Sequence, residues 1–394
     1  MKKSILFFIT FISLINFANA QWQQTNLDSC QYVNCIAVDG NNIFAGIDTN
    51  GVYLSTDNGT SWIQVNNGLL NKQVNALAIN GSNIFAGTFG GGVFLSTNNG
   101  ANWTPVNSGI TNLYIKSIAI SGSNIFAGAS SGSGVFFSNN NGTNWTQLNN
   151  GLPTIYDITK LSISGTNIFA GTQNGMFLST NSGASWSAIN NGLTDYNITS
   201  LAISGTNIFA GTYSGGIFLS INNGSSWNAI NDGLVTNWIT SIVVSGTNVF
   251  ASSYNSGYSI VYMSSNNGAS WISVNNGLNG NTTETLTVGI NDIYAGTYYY
   301  GVWKRPLSEM SGIKTTTFIA DNIYVYPNPA LNNLTVECQK PAIIEILNTQ
   351  GQLVKNLTSN KDFENIDISD FSKGLYFIKI KTEKGIIIKK FDKE

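Results

Sequence analysis

The chain has 394 residues, with 18 basic and 20 acidic side chains, three cysteines and no histidine, for a formal net charge of −2. With so few cations it has no basic stripe to neutralise phosphates, which argues against a nucleic-acid partner. Without histidine or clustered cysteines, zinc, copper and haem lack their usual ligands, so no metal and no cofactor is expected.

Residues 1–20 read as a signal peptide. Lys2 and Lys3 precede an apolar run from Ile5, and Ala18-Asn19-Ala20 is a small-residue cleavage site. The run is short for a bilayer span, and no later segment is long and apolar enough to be one. The mature chain then begins at Gln21 and is exported. Charge divides this mature chain in two. Residues 21–306 carry 5 basic and 9 acidic groups, whereas residues 307–394 carry 11 of each in a much shorter stretch. The expected organisation is a body at 21–306, a linker at 307–322 and a second domain at 323–394.

The body is a repeat. The segment N-(I/V)-(F/Y)-A recurs at Ile43, Ile84, Ile125, Ile168, Ile208, Val249 and Ile293 (Asp replaces the Asn in the last copy), spaced 40 to 44 residues apart. A fixed period of this length marks a β-propeller with one four-stranded blade per repeat. Each period reads as four short apolar runs separated by Asn/Gly turns, where both residue types supply positive φ. The seventh repeat ends near Trp303 without a fourth strand. The mature N-terminus, Gln21-Trp22-Gln23-Gln24-Thr25-Asn26, matches fourth-strand segments such as Ser61-Trp62-Ile63-Gln64-Val65-Asn66. The first strand of the chain should therefore complete the last blade and close the ring, removing its open edges. The fold class is all-β: a seven-bladed β-propeller closed by the N-terminal strand, plus a small C-terminal Ig-like β-sandwich.

Near the start of the body, Cys30 and Cys35 admit two readings: a disulfide, permitted by export, or a buried free Cys35. The second rests on its alignment with the small residues Ala76, Ser117 and Ser200.

Six turns share S-x-(D/N)-x-G-x-x-W. The first holds Ser55, Asp57, Gly59 and Trp62, and the others end at Trp103, Trp145, Trp186, Trp227 and Trp271. This signature resembles the Asp-box, or BNR repeat, of sialidases, sortilin-type receptors and photosystem II assembly-factor-like propellers, over residues 21–306. Five copies depart from the family by carrying Asn for Asp, which can still hydrogen-bond the turn backbone. The resemblance implies that these turns are structural staples on the face away from any site, with Trp packed between blades.

For a sialidase the resemblance implies three arginines around the substrate carboxylate, and the body offers Arg305 alone; that activity is excluded. No Ser/His nucleophile pair exists without histidine. A two-carboxylate glycoside hydrolase or lyase would have to draw on Asp157, Asp195 and Glu284, assigned to connections from a fourth strand to the next first strand on the rim opposite the Asp-boxes. No catalytic residue is assigned, and the expectation is a non-enzyme. The stronger signal on that rim is aromatic. Tyr32, Tyr114 and Trp238 stand just before first strands, and Tyr213, Tyr254 and Tyr298 lie in loops between second and third strands, with Phe89, Tyr258, Tyr299 and Tyr300 nearby. Such side chains suit stacking on sugars or gripping peptide. They are also ordinary packing residues.

After the linker, Tyr326-Pro327-Asn328-Pro329 opens a stretch that continues through Asn348–Val354, Ile366-Asp367-Ile368-Ser369, residues 374–379 and Lys389-Lys390-Phe391. Residues 323–394 resemble the type A C-terminal sorting domain of the type IX secretion system. The resemblance implies the secretion machinery as a partner, export across the outer membrane of a Bacteroidetes-type bacterium, and surface attachment or release. The combined expectation is a secreted or surface-displayed propeller that binds glycan or protein; the alternatives are the rim-carboxylate enzyme and a scaffold in a surface assembly.

Overall fold

The computed structural model describes residues 21–27, 31–278, 282–310, 324–337, 341–349, 352–382 and 385–394. The signal peptide, Cys30 and Cys338 lie outside these residues. The chain divides into two compact units, the first ending at Ile313 and the second beginning at Lys314.

Among the described residues the first unit holds seven antiparallel four-stranded sheets. The second blade is typical, with strands Val74–Asn80, Asn83–Thr88, Gly92–Ser96 and Thr104–Pro105. First strands of successive blades touch all the way round, and that of blade 7 touches that of blade 1. They therefore line a central axis. The second strand, Asn-Ile-Phe-Ala-Gly-Thr in blade 2, is buried on both faces because the neighbouring blades cover it. This is why it reads as a continuous apolar run instead of alternating. Its glycine is demanded by the neighbour. A Cβ on Gly87 would stand 2.7 Å from Ile115 of the next blade, and one on Gly128 would stand 2.5 Å from Ile158.

The Asp-box turns fix the outer edge. In the second, the Gly100 amide donates to Ser96 Oγ (2.8 Å) and the Asn102 amide to Asn98 Oδ1 (2.9 Å). Asn keeps the backbone bond in place of Asp, and where the residue four positions on is Ser the side-chain bond reverses. Ser61 Oγ donates to Asp57 Oδ2, whereas Asn181 Nδ2 donates to Ser185 Oγ. Each Trp then ties its blade to the preceding one. Trp103, Trp145, Trp186, Trp227 and Trp271 donate Nε1–H to the carbonyls of Val65, Val106, Leu148, Ile189 and Ile230 at 2.7–2.9 Å. Trp62 is half-buried and meets the Thr25 hydroxyl instead, at 3.2 Å, since blade 7 has Thr where the others have an aliphatic residue.

Closure follows the sequence pattern. Strand Gln23–Gln24 pairs antiparallel with Val302–Pro306, Gln23 opposite Lys304. Trp22 takes the place of the missing Asp-box Trp: it is buried and donates to the Val274 carbonyl at 2.8 Å. The seam with blade 1 carries an added polar latch, with Asn58 donating to Asp292 (2.9 Å) and Lys304 to the Asn58 carbonyl (2.8 Å). Leu307–Met310, placed in the linker by the sequence, belongs to this packing. A single 3-10 turn, Leu307–Glu309, seats buried Met310 among Trp22, Phe250 and Ile293. Cys35 is a free thiol 3.9 Å from the Val74 carbonyl, and burial pushes its pKa up to about 12.

The second unit is a sandwich of a three-stranded and a four-stranded sheet. Its core joins Leu334, Val336, Ile344, Ile346, Ile366, Ile378, Ile380 and Phe391. Alternation marks strands within Asn333–Glu337, Ala342–Leu347, Gly374–Thr382 and Gly385–Lys393. Tyr324–Tyr326, Leu353–Ser359 and Phe363–Asp367 are strands as well. All three are mostly exposed edge strands, so little apolar patterning betrays them.

Candidate functional site

The site grows from an irregularity repeated in every blade. Each first strand carries a β-bulge at one position, between residues 33 and 35 in blade 1 and at the equivalent place in the other six. The extra residue is Asn34, Asn75, Lys116, Thr159, Thr199, Thr240 or Glu284 in turn. A bulge re-aims its side chain, and all seven line cavities at the mouth of the axis. Five turn inward on the ring. Asn34, Asn75, Thr159, Thr199 and Thr240 donate to the carbonyls of Val74, Ile115, Ile198, Ile239 and Thr283 of the next blade, at 2.5–3.3 Å. The two ionisable members break the pattern. Lys116 pairs with Asp157 at 2.7 Å. Glu284 has no hydrogen bond or ion pair among the described residues, and burial pushes its carboxyl above the usual range. It lies inside strand Thr283–Val288, not in the connection to which the sequence pattern assigns it.

Beside Glu284 opens a cavity of about 690 Å3, lined by Tyr32, Thr199, Trp238, Ile239, Thr240, Tyr254, Gly257, Thr282, Glu284 and Tyr298. Four of the six aromatic candidates thus share one wall. Trp238 and Tyr254 are cross-strand partners with ring centroids 4.6 Å apart. Tyr213 packs against Trp238 at 4.4 Å, and Tyr32 meets Tyr298 edge-on at 4.4 Å. Tyr114 does not join them. It packs against Phe89 at 4.6 Å, and Phe89 borders a second cavity of about 470 Å3 with Lys116 and Lys160. Next to Tyr298, Tyr299 holds φ at 72°, a conformation bulky residues rarely adopt and one that gathers at functional loops.

The electrostatics of the first cavity are negative. Burial raises the Tyr32 phenol above its usual range, with Glu284 and then Asp48 adding to the effect. Tyr298 is raised chiefly by its hydrogen bond with Tyr299, and again by Glu284 and Asp48. Burial lowers the pKa of Lys160, which lines the second cavity together with Lys116.

The other rim carboxylates are committed to loops. Asp157 takes Lys116 and the Ser131 amide. Asp195 accepts the amides of Asn197, Ser214 and Gly215 and the Ser214 hydroxyl, and these bonds outweigh its partial burial to hold its pKa low. Arg305 is buried, with its guanidinium on the Val274 carbonyl at 2.8 Å. Sequence reasoning missed Thr199, Thr240 and the bulge itself. A signal existed: large apolar residues in first strands stand three apart, as Ile115/Ile118 and Ile239/Ile242, where plain alternation would place them two apart.

Residues 324–394 match the family model described as a secretion system C-terminal sorting domain. The tail is a type IX sorting domain. Carrying this sorting domain, the chain is directed through the type IX machinery to the cell surface or beyond, and no helix among the described residues is long and apolar enough to cross a membrane. Among curated proteins no sequence matches. The fold is shared with solved structures at low identity. PorZ, an essential bacterial surface component of the type IX secretion system of Porphyromonas gingivalis, is 15% identical with a TM-score of 0.53, over 92% of this chain and 59% of PorZ. YCF48 from Cyanidioschyzon merolae is 16% identical (TM-score 0.59; 73% of this chain, 99% of that one). The GH74 xyloglucanase from Xanthomonas campestris is 12% identical (TM-score 0.57; 82% and 60%). At such identities the likeness is one of propeller architecture, on which both enzymes and non-enzymes are built.

Proposed function

We propose that the exported propeller binds a glycan in the cavity at the mouth of its axis and does not turn it over. The observation that carries this reading is that Tyr32, Trp238, Tyr254 and Tyr298 line one concave space, as the two packed pairs Tyr32–Tyr298 and Trp238–Tyr254. Its volume falls within the ~300–1,000 Å3 of small-ligand sites, and flat aromatic faces beside a few polar groups suit sugar rings. Asp157 and Asp195 support the absence of turnover: hydrolysis needs two carboxyl groups flanking the scissile bond, and both are engaged within their own loops. The sorting tail supplies the location, outside the cell, where polysaccharides are met.

The test is a glycan and polysaccharide binding screen on the purified protein and on Trp238→Ala, with released reducing ends measured in parallel. Binding that weakens by about 30-fold in the variant, a hot-spot magnitude of ~2 kcal/mol, is the expected outcome. Product release would return the protein to the hydrolase reading. Binding indifferent to Trp238 would move the site elsewhere.

A further inference from the structure

The seven bulge residues form a ring whose logic is to donate hydrogen bonds to the next blade, and Glu284 is the member that cannot take part. An ionised carboxyl has no proton to give. The hydroxyls beside it are already used: Thr199 bonds the Ile239 carbonyl and Thr240 that of Thr283. Nothing among the described residues neutralises Glu284, although it is half-buried. A charge drawn out of water with no partner destabilises the fold, so its place at the cavity wall calls for a partner from outside. What surrounds it narrows the chemistry. The same cavity presents Tyr32, Trp238, Tyr254 and Tyr298, and aromatic faces attract cations. Asp48 adds negative potential at Tyr32 and Tyr298. The nearby cations are placed elsewhere: Lys116 is bound to Asp157, and Lys160 lies in the neighbouring cavity.

We infer that this cavity selects a glycan bearing a free ammonium group, that is, an amino sugar whose nitrogen is not acylated. The inference rests on the proposal that the cavity binds glycan, and it names the sugar class for that site. The sugar ring stacks on Trp238 and its neighbours, and the ammonium group meets the Glu284 carboxylate and the phenol faces. An N-acetylated sugar would bring a neutral amide to the same place and leave the carboxylate unpaired.

The experiment is calorimetric titration of the purified protein at neutral pH with three oligosaccharides of equal length. One is built of glucosamine, one of N-acetylglucosamine and one of glucose. The glucosamine oligomer should bind about tenfold more tightly than the other two, a typical yield for one partly desolvated ammonium contact. Glu284→Gln should bring the glucosamine oligomer down to the affinity of the glucose oligomer, and its melting temperature should rise slightly above the parent because an unpartnered, half-buried charge is removed. Trp238→Ala should weaken all three. Equal affinity for the three sugars, or a preference that survives Glu284→Gln, would overturn the inference and leave the glycan reading standing. If no oligomer binds, both are refuted. Binding of a lysine-bearing peptide through Glu284, with no sugar bound, would refute the amino-sugar assignment and turn the site to protein.

Discussion

Replacing Trp22 with Ala tests how the ring is held shut. Trp22 is 2% exposed, packs with Phe250, Val261, Ile293 and Met310, and donates its indole hydrogen to the Val274 carbonyl at 2.8 Å. Truncating a buried Trp removes ~3–5 kcal/mol through lost transfer energy and the cavity left behind. The freed acceptor adds little, because Arg305 also donates to the Val274 carbonyl at 2.8 Å. A propeller this large responds at the shallow end of the usual scale, about 2 °C per kcal/mol, so the melting temperature should fall by roughly 6–10 °C. Thermal melts followed by circular dichroism would read it, with Trp62→Ala as the comparison. Trp62 is half-buried and bonds a hydroxyl at 3.2 Å, so it should lose about half as much. A Trp22→Ala protein that melts with the parent, or one that loses less than Trp62→Ala, would mean that the N-terminal strand does not lock the ring.

Trp145 is buried between blades with its indole on the Val106 carbonyl at 2.7 Å, so Trp145→Ala should lower stability by ~3–5 kcal/mol in a denaturant melt and leave ligand affinity alone. Trp238→Ala should show the opposite balance. Hydrogen bonds from the Ser61 hydroxyl and amide and the Ser55 hydroxyl hold Asp57 at a pKa of about 2, below its usual 3.8. A folded pKa below the unfolded one gives stability that is present above pH ~4 and is lost as pH falls toward 2. Asp57→Asn should remove that acid-sensitive part, so its acid melting curve should flatten between pH 4 and 2. If the curves coincide, the box is held by something other than the ionised carboxylate. Surface-associated protein from the native host should lack residues 323–394 by intact mass if the sorting domain is removed on export; full-length chain ending at Glu394 would show that it is kept.

The repeat period, the Asp-box signature and the orphaned third strand of blade 7 were all legible in the sequence, and with them the blade count, the closure and the sorting tail. These are local patterns, the period stamped seven times and the Asp-box six, and each copy reports the same backbone geometry. The site was legible only in part. The sequence placed Tyr32, Trp238, Tyr254, Tyr298 and Tyr213 on one rim, since the end of the blade on which a residue falls follows from strand order, although Trp238 and Tyr254 prove to lie at strand ends and not in loops. It could not say that these five gather while Tyr114 turns to Phe89. Nor could it separate Glu284 from Asp157 and Asp195, because all three read as isolated acids near first strands. What separates them is tertiary contact: Lys116 of the preceding blade stands opposite Asp157, Ser214 of the same blade folds over Asp195, and a bulge swings Glu284 into the mouth of the axis. Partners 19 residues away, as for Asp195, or a whole repeat away, as for Asp157, leave no trace in a single sequence, and only folding of the loops and packing of neighbouring blades bring them within hydrogen-bonding distance.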